Sequence, residues 1–230
     1  MKLLVSFVSV TASLAFVTRS NVEISRTKLA AEATFGMGCF WKPSEELLKV
    51  PGVQDTIVGY TGRNDVSDPP SYDEVCFGRG WVEGVRVIYD DTKLSYDELL
   101  DAFFDAQEPK LNSRQYASVI FPHDDEQRRV AESWLTENKL RNDGVSTAMT
   151  TIENRSRFFR AEDYHQQYWQ KTRPRVAGLI ALLAVSSGAI DDVLPIAVQS
   201  VVHTAANAIV IAGNVFLLVE RRIGRSTVLE

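Results

Sequence analysis

Thr34-Phe35-Gly36-Met37-Gly38-Cys39-Phe40-Trp41-Lys42-Pro43 sets a cysteine on a glycine-punctuated turn between a short apolar strand and a helix. Backbone N–H groups at a helix N-terminus stabilise a thiolate, so this placement predicts a lowered pKa and a nucleophilic or redox role for Cys39. Gly36 and Gly38 allow a substrate to approach closely, and Pro43 suits a first helical turn. Phe40 and Trp41 offer an apolar wall beside the thiol. A lone cysteine is also commonly a small buried hydrophobe, and the local pattern alone leaves both readings open.

Outward from this turn, residues 55–60 alternate as a strand, and so do residues 83–89, with Val85, Val87 and Tyr89 on one face. Helical spacing marks residues 44–49 and 95–104, the second opened by a Ser95/Glu98 capping box. A third helix is expected over 124–140, with Asp124, Asp125 and Glu126 complementing the macrodipole and Val130, Trp134 and Leu135 forming an apolar stripe. Residues 64–71, rich in Asp, Ser and Pro, read as a loop. Strands and helices alternating in this way predict an α/β or α+β sandwich.

The 230-residue sequence has a formal net charge of −5 and no long Lys/Arg cluster, which excludes nucleic acid as the main partner. Its two cysteines, Cys39 and Cys76, build no disulfide framework, and no Cys/His spacing suits zinc, so neither metal nor cofactor is expected. Residues 1–31 read as a leader: a basic Lys2, an apolar run, then Arg19, Arg26 and Lys28 among Ser and Thr. A signal followed by a transit-like segment resembles a bipartite plastid leader; simple secretion is the alternative. Residues 32–171 form the expected catalytic domain and 172–230 an apolar helical extension. Its charge-free stretch 193–219 is long enough to span a bilayer and predicts membrane association; a helical hairpin folded onto the protein is the other reading.

Gly38-Cys39-Phe40-Trp41 resembles the signature of the peptide methionine sulfoxide reductase A family. More of that family's pattern follows in order: Pro51-Gly52-Val53, Gly59-Tyr60-Thr61-Gly62, Ser71 to Cys76, Glu83 before Val85-Arg86-Val87, Gln115-Tyr116, Phe121-Pro122-His123-Asp124 and Ala161 to Gln166. The resemblance covers roughly residues 33–170 and implies an α+β fold, a ferredoxin-like two-layer sandwich with added helices. It implies reduction of the S epimer of methionine sulfoxide in oxidised proteins or peptides. Cys39 is then the nucleophile that becomes a sulfenic acid, and Glu83 the acid that protonates the sulfoxide oxygen. Tyr60 and Tyr116 bind that oxygen, while Phe40 and Trp41 hold the methyl group. Tyr164 and His165 support the pocket, and His123 caps or precedes the helix at Asp124.

Three features depart from the family pattern. No cysteine follows Cys76, so recycling is expected from an external thiol, thioredoxin or glutathione with glutaredoxin, and Cys76 reads as a buried structural thiol. The segment Lys110-Leu111-Asn112-Ser113-Arg114 is short and lacks the family's aspartate, and Trp81 stands where a His is usual. The rival readings are an altered relative serving as a membrane-anchored binding protein, and a hydrolase using Cys39 and His165, for which the sequence supplies no orienting partner.

Overall fold

The computed structural model describes residues 30–138, 149–223 and 227–229. The leader read over residues 1–31 lies outside these, apart from its last two residues, and Ala31 already opens the first strand. The chain runs β1 (Ala31–Met37), α1 (Trp41–Leu48), β2 (Val53–Thr61), α2 (Tyr72–Phe77), β3 (Val82–Tyr89), α3 (Tyr96–Ala106) and β4 (Ser118–Phe121). It continues through α4 (Asp125–Glu137), β5 (Thr151–Ile152), β6 (Phe158–Arg160), α5 (Tyr168–Ser186), α6 (Ile196–Ile223) and β7 (Thr227–Leu229). Helix α5 passes without a break through the boundary expected at 171/172.

The strands form one mixed sheet in the order β5-β4-β1-β3-β2-β6-β7. Its centre, β4-β1-β3-β2, is antiparallel throughout. Built from β1-α1-β2-β3-α3-β4, it is the split-βαβ, ferredoxin-like arrangement that the resemblance implies. Strand β5 adds parallel to β4, and β6 adds antiparallel to β2. Alternate residues of the central strands, Phe35, Met37, Val85 and Val87, are fully buried in one core with Leu47, Leu99, Leu100 and Phe103. Phe35 stacks on Phe103 at 4.8 Å.

Side chains close the helix ends as the sequence suggests. In α3 the Ser95 hydroxyl accepts from the Glu98 N–H while the Glu98 carboxylate accepts from the Ser95 N–H. In α4 Asp124 accepts from the Gln127 N–H. An equivalent box, Ser71 with Glu74, opens the short helix α2 inside the 62–81 connection.

The C-terminal extension is a helical hairpin. Helix α5 is fastened to α1 by Tyr168 stacking on Trp41 at 3.9 Å and by Arg173 paired with Glu45 at 2.6 Å. At the hairpin tip His203 meets Asp191 at 2.8 Å, and the Gln199 amide donates to the Asp191 and Leu194 carbonyls. Helix α6 carries an apolar span of 24 residues, Ile196–Val219, almost wholly exposed. At 1.5 Å per residue the span is about 36 Å long, against a hydrocarbon core of about 30 Å. Strand β7 then pairs with β6, so both ends of the hairpin return to the domain that carries the sheet.

Gly59 lies where β2 meets β6. A Cβ there would come within 2.4 Å of the Phe159 carbonyl oxygen and 2.5 Å of the Phe158 ring. Gly59→Ala is therefore expected to lower the free energy of urea unfolding by about 1–3 kcal/mol, the usual scale of overpacking. Gly178→Ala, in the interior of α5 with open space around it, should instead raise stability by up to about 1 kcal/mol. A Gly59→Ala protein as stable as its parent would contradict this close approach.

Candidate active site

The turn that carries Cys39 exists because Gly38 adopts φ +85°, a conformation that other residues enter only with strain. A Cβ at Gly38 would lie 1.9 Å from the Glu108 carbonyl oxygen, so both backbone and space demand glycine. The Glu108 N–H donates to the Met37 carbonyl at 2.8 Å, which locks the turn against the end of α3. Cys39 emerges two residues before α1, half-buried, with the Trp41 N–H directed at its sulfur.

Opposite it, on β3, stands Glu83, 1% exposed. One carboxylate oxygen accepts from the Phe40 N–H at 3.2 Å and the other from the Gln115 amide at 2.6 Å. Burial pushes the carboxyl up to about 7 against these two donors and the Lys110 ammonium, all of which favour the ionised form. A group that is half-protonated near neutrality can hold or deliver a proton under ordinary conditions.

The thiol corrects one expectation. Its pKa is raised, not lowered, because burial outweighs the Trp41 N–H, and the Glu83 charge adds to burial while Lys110 opposes it. The helix N-terminus is present as expected, but the sulfur it faces is partly out of water and beside an acid. Lys110 comes from the short segment that lacks an aspartate, and its ammonium lies 4.5 Å from the centre of the Tyr116 ring.

Tyr116 is half-buried, and burial together with the Glu83, Cys39 and Cys76 charges raises its pKa to about 12. It stays a neutral hydroxyl donor. Tyr60 is fully buried, and its hydroxyl donates to Glu162 Oε2 at 2.7 Å. Glu162 also lies 3.8 Å from His165 Nε2, and His165 Nδ1 accepts from the Trp41 indole N–H at 3.0 Å. That bond puts the imidazole proton on Nε2, toward Glu162. The Trp41–His165 and Tyr60–Glu162 hydrogen bonds, with His165 and Glu162 3.8 Å apart, brace the apolar wall, of which Phe40 is 1% exposed and Trp41 half-buried.

His123 sits apart from this cluster. Its Nε2 meets the Thr34 hydroxyl at 2.8 Å, and burial together with Arg155 and Arg86 lowers its pKa to about 4. Trp81 shares the face of Glu83 but packs edge-on against Phe159, with the Arg63 guanidinium over its ring. Beyond Trp41 a cavity of about 570 Å³ opens between Tyr72, His165 and Tyr168 on one side and Leu179, Val210 and Phe216 of the hairpin on the other.

One further expectation drawn from sequence needs amendment. Cys76 is half-buried, not enclosed in the core, and the Gln115 amide that holds Glu83 also reaches its sulfur at 3.7 Å. Gln115 itself was legible only as the neighbour of Tyr116. It lies in the turn three residues before β4, the strand that pairs with β1 ahead of Cys39.

Comparison with known proteins agrees with this geometry. The family described as "Peptide methionine sulfoxide reductase" matches residues 31–182. The chain is 43% identical over 152 residues to the peptide methionine sulfoxide reductase MsrA of Methanoculleus marisnigri, covering 63% of this chain and 92% of that protein. It is 41% identical over 164 residues to the MsrA of Methanothermobacter thermautotrophicus, covering 66% and 94%. Among solved structures it superposes on methionine sulfoxide reductase A of Corynebacterium diphtheriae with a TM-score of 0.55 and 27% identity, covering 64% and 76% of the two chains. Reduced Mxr1 of Saccharomyces cerevisiae gives a TM-score of 0.50 at 28% identity, covering 62% and 86%.

The raised carboxyl has a measurable consequence. Unfolded, Glu83 ionises near 4.5; folded, it ionises near 7, so between these values folding takes up a proton and stability falls as pH rises. The loss is about 3 kcal/mol across that window and levels off above pH 7. Urea titrations at stepped pH should show this slope in the parent and not in Glu83→Gln. Identical slopes in the two proteins would mean that the carboxyl is ionised at neutral pH in the fold.

Proposed function

Because the chain belongs to the peptide methionine sulfoxide reductase family and is an oxidoreductase that reduces methionine sulfoxide, we propose that it acts on the S epimer through a sulfenic acid at Cys39. The observation that carries this reading is Glu83, a buried carboxyl half-protonated near pH 7 and tied by the Phe40 N–H to the turn that bears the thiol.

Cys39 attacks the sulfoxide sulfur while Glu83 protonates the oxygen, giving an adduct in which the two sulfurs are bonded; the hydroxyl then passes to the Cys39 sulfur as the bond between the sulfurs and the methionine S–O bond break, so methionine departs reduced and Cys39 is left as the sulfenic acid. Tyr116 donates to the sulfoxide oxygen as negative charge builds there. Tyr60 does the same by exchanging its Glu162 acceptor for that oxygen, since a phenol has one hydrogen to give. Phe40 and Trp41 hold the methyl group. The cavity beside Trp41 has room for residues flanking an oxidised methionine, which favours protein-bound substrate and a role in repair of oxidised proteins. An external thiol, thioredoxin or glutathione with glutaredoxin, returns the enzyme to its reduced state.

We further propose that the hairpin attaches the enzyme to a membrane. Helix α6 is long and apolar enough to cross one by length and composition, and its apolar side chains face outward. Both ends of the hairpin return to the domain that carries the sheet. Delivery to a plastid or the secretory pathway is the reading that residues 1–31 support.

The purified protein should release methionine from the S sulfoxide and not from the R sulfoxide. Cys39→Ser should release none, and Glu83→Gln should be slower by about 10²- to 10⁴-fold, the scale of a positioned acid. Because the acid must be protonated, the parent's rate should fall as pH rises through about 7. Turnover by Cys39→Ser, or of the R epimer, would overturn the assignment. The membrane reading predicts that the expressed protein stays in the pellet after carbonate extraction; full release would contradict it.

A further inference from the structure

The two cysteines of the sequence lie at the same site. The Gln115 side-chain amide donates to Glu83 Oε1 at 2.6 Å and to Cys76 Sγ at 3.7 Å, while Glu83 Oε2 accepts from the Phe40 N–H, the residue after Cys39. One amide and one carboxyl therefore separate the thiols. The charges of both act on the Tyr116 hydroxyl, and the Tyr72 hydroxyl, one turn before Cys76 on α2, is within hydrogen-bond reach of the Cys76 sulfur. Both thiols are half-buried, so both remain reachable. A structural cysteine needs none of this placement.

We propose that Cys76 is the thiol that resolves the Cys39 sulfenic acid. The proposal rests on the reductase reading and extends it by one step. The Cys76 sulfur attacks the Cys39 sulfur and the Cys39 S–O bond breaks. The hydroxyl leaves as water with the proton that Cys76 gives up, and a Cys39–Cys76 disulfide remains. Cys39 is reduced and Cys76 oxidised by the same electron pair, so no further reagent enters this step. An external dithiol then reduces the disulfide by exchange. Forming the bond requires the Gln115–Glu83 pair to part so that α2 closes on the turn at Gly38, since a disulfide tolerates only a narrow range of separations.

The step selects the reductant. An intramolecular thiol acts at an effective concentration on the order of mM, so it outruns a dilute external monothiol in reaching the sulfenic acid. What leaves the active site is then a disulfide, the substrate of a thioredoxin-type dithiol, and not a sulfenic acid awaiting glutathione.

The test is one turnover without reductant. The parent protein is mixed with excess methionine S-sulfoxide, quenched with N-ethylmaleimide and mapped by mass spectrometry, with methionine counted in parallel. The expected result is about one methionine per protein, loss of both free thiols and a linked pair of peptides containing Cys39 and Cys76, the stoichiometry of disulfide exchange. In Cys76→Ser, dimedone should instead capture Cys39 as the sulfenic acid, and thioredoxin-supported turnover should fall by about tenfold or more relative to turnover on a small monothiol. Methionine formed in the parent with Cys76 still fully alkylated would overturn the proposal while leaving the reductase reading intact. No methionine at all would overturn that reading and this one with it.

Discussion

The site depends on keeping one carboxyl, Glu83, out of water with fewer donors than its charge calls for. A buried carboxylate accepting several backbone N–H bonds ionises easily; Glu83 receives one backbone N–H and one amide, and burial wins. That balance is set by backbone geometry at a distance. Only the left-handed conformation of Gly38, pressed against the Glu108 carbonyl, turns the chain so that the Phe40 N–H meets the carboxyl. A side chain at Gly38 would displace the turn, the hydrogen bond and the thiol together. The Cys39–Glu83 arrangement and the turn that joins β1 to α1 thus depend on the same residue.

A second constraint runs through Trp41. Its indole N–H is bound to His165, and its ring is stacked on Tyr168, the first residue of α5. The wall of the active site and the root of the hairpin are therefore one packed unit, and Glu162 extends it to the Tyr60 hydroxyl. Displacing α5 would free the indole from its stacking partner while His165 still held its N–H. The root of the hairpin therefore belongs to the site's architecture.

The fold was largely legible in sequence because its determinants are local. The Ser95/Glu98 box, the alternation of Val85, Val87 and Tyr89, and the glycines around Cys39 each act within a few residues, and the structure contains them all. What sequence could not supply is tertiary. The helix N-terminus rule sees the Trp41 N–H at Cys39 but not the burial and the Glu83 charge that reverse its effect. Burial statistics for cysteine place Cys76 inside, because nothing in residues 71–77 reveals that Gln115, 39 positions away, reaches its sulfur. Nor does the short segment 110–114 reveal in sequence that the Lys110 ammonium lies over the Tyr116 ring.

The raised values of Cys39 and Glu83 have the same leading cause, burial, and the Glu83 charge adds to it at the thiol. Lys110 favours the ionised form of both. Near neutrality the thiol keeps its proton and the carboxyl is half-protonated. In the proposed reaction a sulfoxide entering between them presents a partial positive charge on sulfur to Cys39 and a partial negative charge on oxygen to Glu83, and so favours loss of the thiol proton while the carboxyl keeps its own. On that proposal the thiol need not be strongly acidic in the free protein, because the substrate's own dipole completes the ionisation that the helix N-terminus alone does not achieve.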